Sequence, residues 1–243
     1  MKKFISGALL LTALALLGIF GWNFYGDYSE QRASDTQTQM KPDTPNISGE
    51  EANPSSESLP LMDFTALKAK NEEIITWLTI DGLGIDYPVV QAADNQYYIN
   101  HTAEKKRNRL GALFLDFRSQ KDFSDFYNVV YGHNMASGKM FGRLSQMKNR
   151  ENFERITSGI LYTPAKTHRL EIFAVVVTGP RSDFYRYIFP DTTSREEHLR
   201  MTKKYAKYYR DIGVTSKDKL IALSTCSYEF QDARTLLIAR LAG

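Results

Sequence analysis

One cysteine is present in the 243 residues, Cys226, and it closes the apolar run Leu220-Ile221-Ala222-Leu223-Ser224-Thr225. A side chain at the end of a strand is held by the sheet yet open to a substrate, which suits a nucleophile. Arg234 opens the next apolar run, Thr235-Leu236-Leu237-Ile238-Ala239. If the two runs pair as a hairpin, the loop 227–233 carries the guanidinium back beside the thiol. A fixed positive charge there would stabilise a thiolate or the oxyanion of a tetrahedral intermediate. The competing readings are an edge-strand surface charge for Arg234 and, for Cys226, a buried thiol behaving as a small hydrophobe.

A thiol enzyme also needs a group that moves protons, and the 4 histidines are the first candidates. His133 lies in Val129-Val130-Tyr131-Gly132-His133-Asn134, where an apolar run meets turn residues that would present a side chain at a strand end. His101 sits in a polar stretch, His168 in an expected hairpin turn and His198 on an expected helix face. A metal centre is disfavoured: there is no second cysteine, no His-Glu-x-x-His and no histidine pair at ligand spacing. A Gly-x-Ser-x-Gly elbow is absent too.

The elements that must hold these residues divide the chain in three. Lys2 and Lys3 are followed by no charge until Asp27. That apolar run is long enough for a helix to cross the roughly 30 Å hydrocarbon core, and too long for a signal-peptide core. It ends in Gly21-Trp22-Asn23-Phe24-Tyr25, aromatics that suit a membrane–water boundary. Residues 1–26 are therefore expected to be an uncleaved anchor, with the rest of the chain outside the cell. A cleaved signal peptide is the competing reading. Residues 27–60, polar and carrying seven acids against Arg32 and Lys41, are expected to be a flexible stalk. With the net charge at +3, residues 61–243 are left at +6, a mild excess that does not suggest nucleic acid.

The folded domain is expected over 61–243. Phe64, Leu67, Asn71, Ile74, Ile75 and Leu78 follow helical spacing behind Asp63 as N-cap. Short apolar runs broken by turn residues then recur, among them Leu110–Leu115, Asn128–Tyr131, Gly159–Tyr162, Arg169–Thr178, Lys219–Thr225 and Thr235–Leu241. They favour a β-sandwich or barrel. Met140, Phe141, Leu144 and Met147 mark a short helical turn. Ser194 and Glu197 read as a capping box for a longer helix with His198, Met201, Tyr205, Tyr208 and Ile212 on its buried face. A lone thiol outside the cell is open to oxidation, which makes a catalytic use as reasonable a reading as a buried, inert thiol.

Taken together these residues resemble the sortase family. Leu223-Ser224-Thr225-Cys226 resembles its Thr-Leu-x-Thr-Cys signature, with Ala222 where Thr is usual. Tyr131-Gly132-His133-Asn134 resembles its histidine motif and Asp232-Ala233-Arg234 its arginine position. Further matches lie in Ile85-Asp86-Tyr87-Pro88-Val89-Val90, Asp94-Asn95-Gln96-Tyr97-Tyr98 and Met140-Phe141-Gly142-Arg143-Leu144, and the pattern is similar to class B. The resemblance implies an eight-stranded β-barrel with an N-terminal helix and a long helix before the last two strands. It implies Cys226, His133 and Arg234 as the catalytic three, and Asn95, Tyr131, Ser224, Tyr187 and Ile188 along a substrate groove. It also implies the reaction. A surface protein's C-terminal sorting signal is cleaved after Thr through a thioester and passed to a peptidoglycan amine, without cofactor or metal. A pilin-polymerising enzyme, a plain cysteine peptidase and a tethered binding domain with a structural cysteine are the alternatives.

Overall fold

The computed structural model describes residues 2–42 and 59–243, with side chains from residue 15 onward apart from Trp22. Every residue of the run Ile74–Ile80 is buried, and it forms a strand, β1. The expected helix over this stretch is thereby shortened to α2, Thr65–Lys70. Ile74, Ile75, Thr76, Thr79 and Ile80 are β-branched and pack well on a pleated surface. A strand covered on both faces shows no alternation, so its apolar spacing imitated a helix. The N-cap is Phe64 and not the expected Asp63, which stands one residue earlier and accepts from the Thr65 N–H at 2.8 Å.

The remaining strands are β2 (Ile85–Val90), β3 (Leu113–Leu115), β4 (Tyr127–Tyr131), β5 (Ser158–Tyr162), β6 (Thr167–Thr178), β7 (Ala206–Tyr209), β8 (Lys219–Cys226) and β9 (Arg234–Ala242). Eight of the nine strands run in the order β5-β1-β2-β3-β4-β8-β9-β6, and pairing of β5 with β6 closes the ring. This is the expected eight-stranded barrel; β7 adds a strand outside it, on β6. Neighbours are antiparallel except β2 with β3 and β4 with β8.

Alternation along β8 explains why its sequence reads as a continuous apolar run. Ile221 and Leu223 join the cluster that fills the barrel, while Leu220 and Ala222 join a second cluster on the outside. That outer face is roofed by α3 (Thr192–Tyr205) and by the 3-10 turn Asp183–Tyr185, which contributes Phe184. The α3 capping box is Asp191 with Ser194, one turn before the expected Ser194–Glu197 pair, and the helix stops at Tyr205, so Tyr208 belongs to β7. A third cluster, with Met40, Phe64, Leu67 and Trp77, covers the outside of β1.

Residues 27–42 depart from the expected stalk. Helix α1 runs from Lys2 to Thr38; Glu30, Ser34 and Gln37 on its later part are buried, as is Met40 just beyond it. Ser34 bonds the Tyr87 hydroxyl at 2.8 Å, and Arg109 pairs with Glu30. Polar side chains dock this segment, which hydropathy does not register. The rest of the stalk, 43–58, lies outside the described residues. Among the described residues no helix is long and apolar enough to cross a membrane. Of the expected anchor, 1–26, the side chains of residues 1–14 and of Trp22 lie outside the described residues.

Candidate active site

Cys226 is the last residue of β8 and Arg234 the first of β9, and the two are directly opposed in the antiparallel register. Opposed residues project from the same face, so thiol and guanidinium emerge together. Alternation puts them on the side of Ser224 and Ala222, toward the Asp183–Tyr185 turn. Cys226 is half-buried. Arg234 Nη1 donates to the carbonyls of Asp232 and Ala233, both at 3.1 Å, which fixes the guanidinium against its own turn.

His133 comes from the neighbouring strand. β4 and β8 run parallel, with Tyr131 beside Ser224, so their C-terminal ends lie side by side. Three hydrogen bonds join those ends. The Gly132 N–H donates to Ser224 O at 3.1 Å, the Thr225 hydroxyl donates to Gly132 O at 2.7 Å, and the Asn134 amide donates to Cys226 O at 2.8 Å. The residues on both sides of His133 are thus tied to Cys226 or its neighbours. Gly132 is required by packing, because a Cβ there would lie 2.4 Å from Leu113 and 2.7 Å from the Phe141 ring. His133 Nε2 meets the Ile99 carbonyl oxygen at 2.6 Å. A carbonyl only accepts, so Nε2 carries its proton and Nδ1 is the nitrogen left to exchange one.

These residues line one cleft of about 410 Å³, together with Asn95, Ile99, Phe114, Arg118, Tyr131, Tyr185 and Ser224. Of the five expected groove residues, Asn95, Tyr131 and Ser224 line it. Tyr187 and Ile188 do not; both are exposed, and Tyr187 lies over the Arg118 guanidinium at 4.1 Å. Tyr185 takes the place expected for Tyr187. Its hydroxyl bonds Ser224 Oγ at 2.8 Å, and burial pushes it up to about 12.

One wall is organised by a carboxylate that sequence reading did not single out. Asp116 is 2% exposed and accepts from Arg118 Nε at 2.8 Å and Nη2 at 2.7 Å, from the Tyr131 hydroxyl at 2.9 Å and from Asn95 Nδ2 at 3.1 Å. Burial alone would push this carboxyl up, but the bonds from Arg118 and Tyr131 hold it below its ordinary range. Burial, followed by the Asp116 charge, raises the Tyr131 hydroxyl well above its usual value. The signal in the sequence was an Asp-x-Arg immediately after the Leu113–Leu115 strand.

Among the described residues no cluster of His, Cys, Asp and Glu is placed to hold a metal ion. The arrangement offers a thiol, an imidazole and a fixed cation in one cleft walled by hydroxyls and an amide, which are the parts needed for acyl transfer.

The sortase domain family model matches residues 78–242. Sortase B of Listeria monocytogenes is 30% identical over 252 residues, which span 99% of this chain and 98% of that protein. The Staphylococcus aureus sortase B–substrate complex superposes with a TM-score of 0.69 at 26% identity, covering 73% of this chain and 83% of that one. A Streptococcus pyogenes class B sortase involved in pilus biogenesis superposes with a TM-score of 0.68 at 34% identity, covering 74% and 97%. With the strand-end thiol, histidine and arginine in one cleft, these matches show that the chain belongs to the sortase family of cysteine transpeptidases, on its sortase B-like branch.

Proposed function

We propose that the chain cleaves a C-terminal sorting signal after a Thr residue and joins the new acyl end to an amine of the cell-wall peptide. The observation that carries this reading is the convergence of Cys226, His133 and Arg234, brought by three adjacent strand ends into one cleft. In the first half-reaction the Cys226 thiolate attacks the Thr carbonyl. The carbon–nitrogen bond breaks, and the departing amine takes a proton from His133. In the second, the incoming amine attacks the thioester, gives a proton to the now neutral His133 and releases the thiolate. Arg234 holds the oxyanion of each tetrahedral intermediate or the carbonyl that becomes it. Asn95, Tyr131, Tyr185 and Ser224, which line the cleft, contact the sorting signal. The S. aureus relative is known in complex with a substrate, which supports substrate binding by this chain.

The charge-free run between Lys3 and Asp27 supports an anchor that leaves the catalytic domain outside the cell. Cys226 lines the cleft, which argues against the structural-cysteine reading. One second reading has its own support: the S. pyogenes relative is involved in pilus biogenesis, so a lysine of another protein is the alternative acceptor.

The test mixes the full chain in detergent with a panel of sorting-signal peptides, a short peptide amine and a lysine-bearing peptide. Mass spectrometry should find a thioester on Cys226 and an amine-ligated product, both lost in Cys226→Ala. Whichever amine is ligated decides between wall and pilus. Hydrolysed product alone makes the enzyme a peptidase, and no adduct on an alkylation-resistant thiol refutes the catalytic reading.

A further inference from the structure

We propose that Gln37, on the helix preceding the barrel, is a positioning residue for His133, a role that rests on the reading of His133 as proton carrier. Gln37 is 1% exposed. A buried carboxamide is costly unless it is bonded, and both ends of this one go to the backbone of a single loop. Its Oε1 accepts from the Ala103 N–H at 3.0 Å, and its Nε2 donates to the Gly111 carbonyl at 3.3 Å.

That loop is the support of the histidine ring. Ile99 provides the oxygen that receives the His133 Nε2 proton, and Gly111 lies against the same group. Gly111 has φ +64, and a Cβ placed on it would be 2.7 Å from the carbonyl oxygens of Tyr98 and Ile99 and 3.2 Å from His133 Cδ2. A side chain would not fit there, so Gly111 is packed close to the Ile99 oxygen and the imidazole, and a displacement of Gly111 is passed to both. The Ala112 N–H donates to Tyr98 O at 3.1 Å, closing the loop on itself.

Helix α1 holds this loop at more than one point. Asn108 Nδ2 donates to Ser29 O at 3.4 Å, and Arg109 pairs with Glu30 and, at 3.3 Å, with Asp27. Arg109 is largely exposed, so its pair with Asp27 adds little, although Glu30 is itself buried. Gln37 is buried and, of these contacts, is the one that reaches the residue packed on the ring. Its carboxamide fixes Gly111, Gly111 fixes the Ile99 carbonyl, and that carbonyl fixes which imidazole nitrogen carries the resting proton.

The test uses the full chain and two variants. Gln37→Met has similar length and no polar atoms. Gln37→Glu keeps the acceptor toward Ala103, and so the docking of the helix, but loses the donor toward Gly111; it is the variant read if Gln37→Met does not fold. Peptide-to-amine transfer should fall about tenfold in kcat with KM within about twofold, since the loss is of geometry at the reacting group. In proton NMR the hydrogen-bonded His133 ring N–H of the wild type should broaden or vanish in the variant. A Gln37 that merely docks the helix predicts a lower Tm with kcat and ring proton unchanged, and that result overturns the inference. His133→Ala separates the two levels of the argument. If it transfers peptide at the wild-type rate, the role given to His133 fails; if it is inactive while both Gln37 variants behave as wild type, only the role of Gln37 fails.

Discussion

Asp116→Asn takes one negative charge out of a site where three cleft side chains converge. In the wild type Oδ1 accepts from Arg118 Nε, while Oδ2 accepts from Arg118 Nη2, the Tyr131 hydroxyl and Asn95 Nδ2. An asparagine offers one acceptor oxygen and turns an NH2 toward donors at the other, so at least one bond becomes a donor–donor contact whichever way it flips. Removing one member of a buried pair costs about 3–5 kcal/mol. The Arg118 side chain is 30% exposed and can recover water, so about 2–3 kcal/mol is expected here. For a chain of this size that is a fall of about 4–12 °C in Tm. Asn95, Arg118 and Tyr131 all line the cleft, so KM for the sorting-signal peptide should rise about tenfold, with kcat less affected. The pH dependence follows from the depressed carboxyl. Its contribution is fully present above the unfolded value near 3.8 and is lost only as pH falls through the lower folded value. The Tm gap between wild type and variant should therefore hold from neutral pH down toward 3.8 and close below it. Thermal melts across that range with peptide titrations provide the check. Equal Tm at pH 7 with unchanged KM, or a gap that closes in the range of histidine titration, would refute the reasoning.

Gly132→Ala must fit a methyl into space held by Leu113 and Phe141. Overpacking of this kind costs about 1–3 kcal/mol, and the shift falls on the residue beside His133. Both the urea midpoint and the turnover number should drop, and a variant with normal turnover would show that the strand end tolerates movement. His198 is buried against Phe126, Tyr127, Phe184 and Phe189, and burial, with a smaller effect of Arg186, lowers it to about 4. The unfolded chain takes up that proton near 6.5 and the folded one does not, so stability falls by about 3 kcal/mol as pH drops through that window. His198→Phe should flatten the dependence, as urea unfolding at pH 7, 5.5 and 4 would reveal; parallel pH profiles for the two proteins would contradict it.

Residues that act at strand ends were the easiest to read. Cys226, Arg234 and His133 each stand where an apolar run meets turn residues, and the hairpin spacing between the first two translates directly into their opposed register. The closure of β5 on β6 has no local signature, because it depends on pairing between strands whose order in the ring differs from their order in the chain. β1 was mistaken for helix since a strand buried on both faces has no period of two. The docked part of α1 was missed for the opposite reason: its anchoring residues, Glu30, Ser34 and Gln37, are polar, and composition reads polarity as solvation. Asp116 went unnoticed, although Arg118 stands two residues on, because Asn95 and Tyr131 lie 21 and 15 positions away and meet it only in the fold.

The parallel pairing of β4 with β8 sets the order in which the molecule becomes competent. The bonds that join Gly132 to Thr225 and Asn134 to Cys226 span 93 and 92 positions of chain. Contacts of such separation bear the loop-closure entropy before they yield any stabilisation, which places barrel folds in the millisecond-to-second range. The nucleophile lies on the penultimate strand, so a chain whose last strands have not yet docked carries a thiol with neither histidine nor arginine beside it. Activity then arrives in one step, when the last two strands dock, and a nascent or clipped chain is inert toward its substrates rather than partly active.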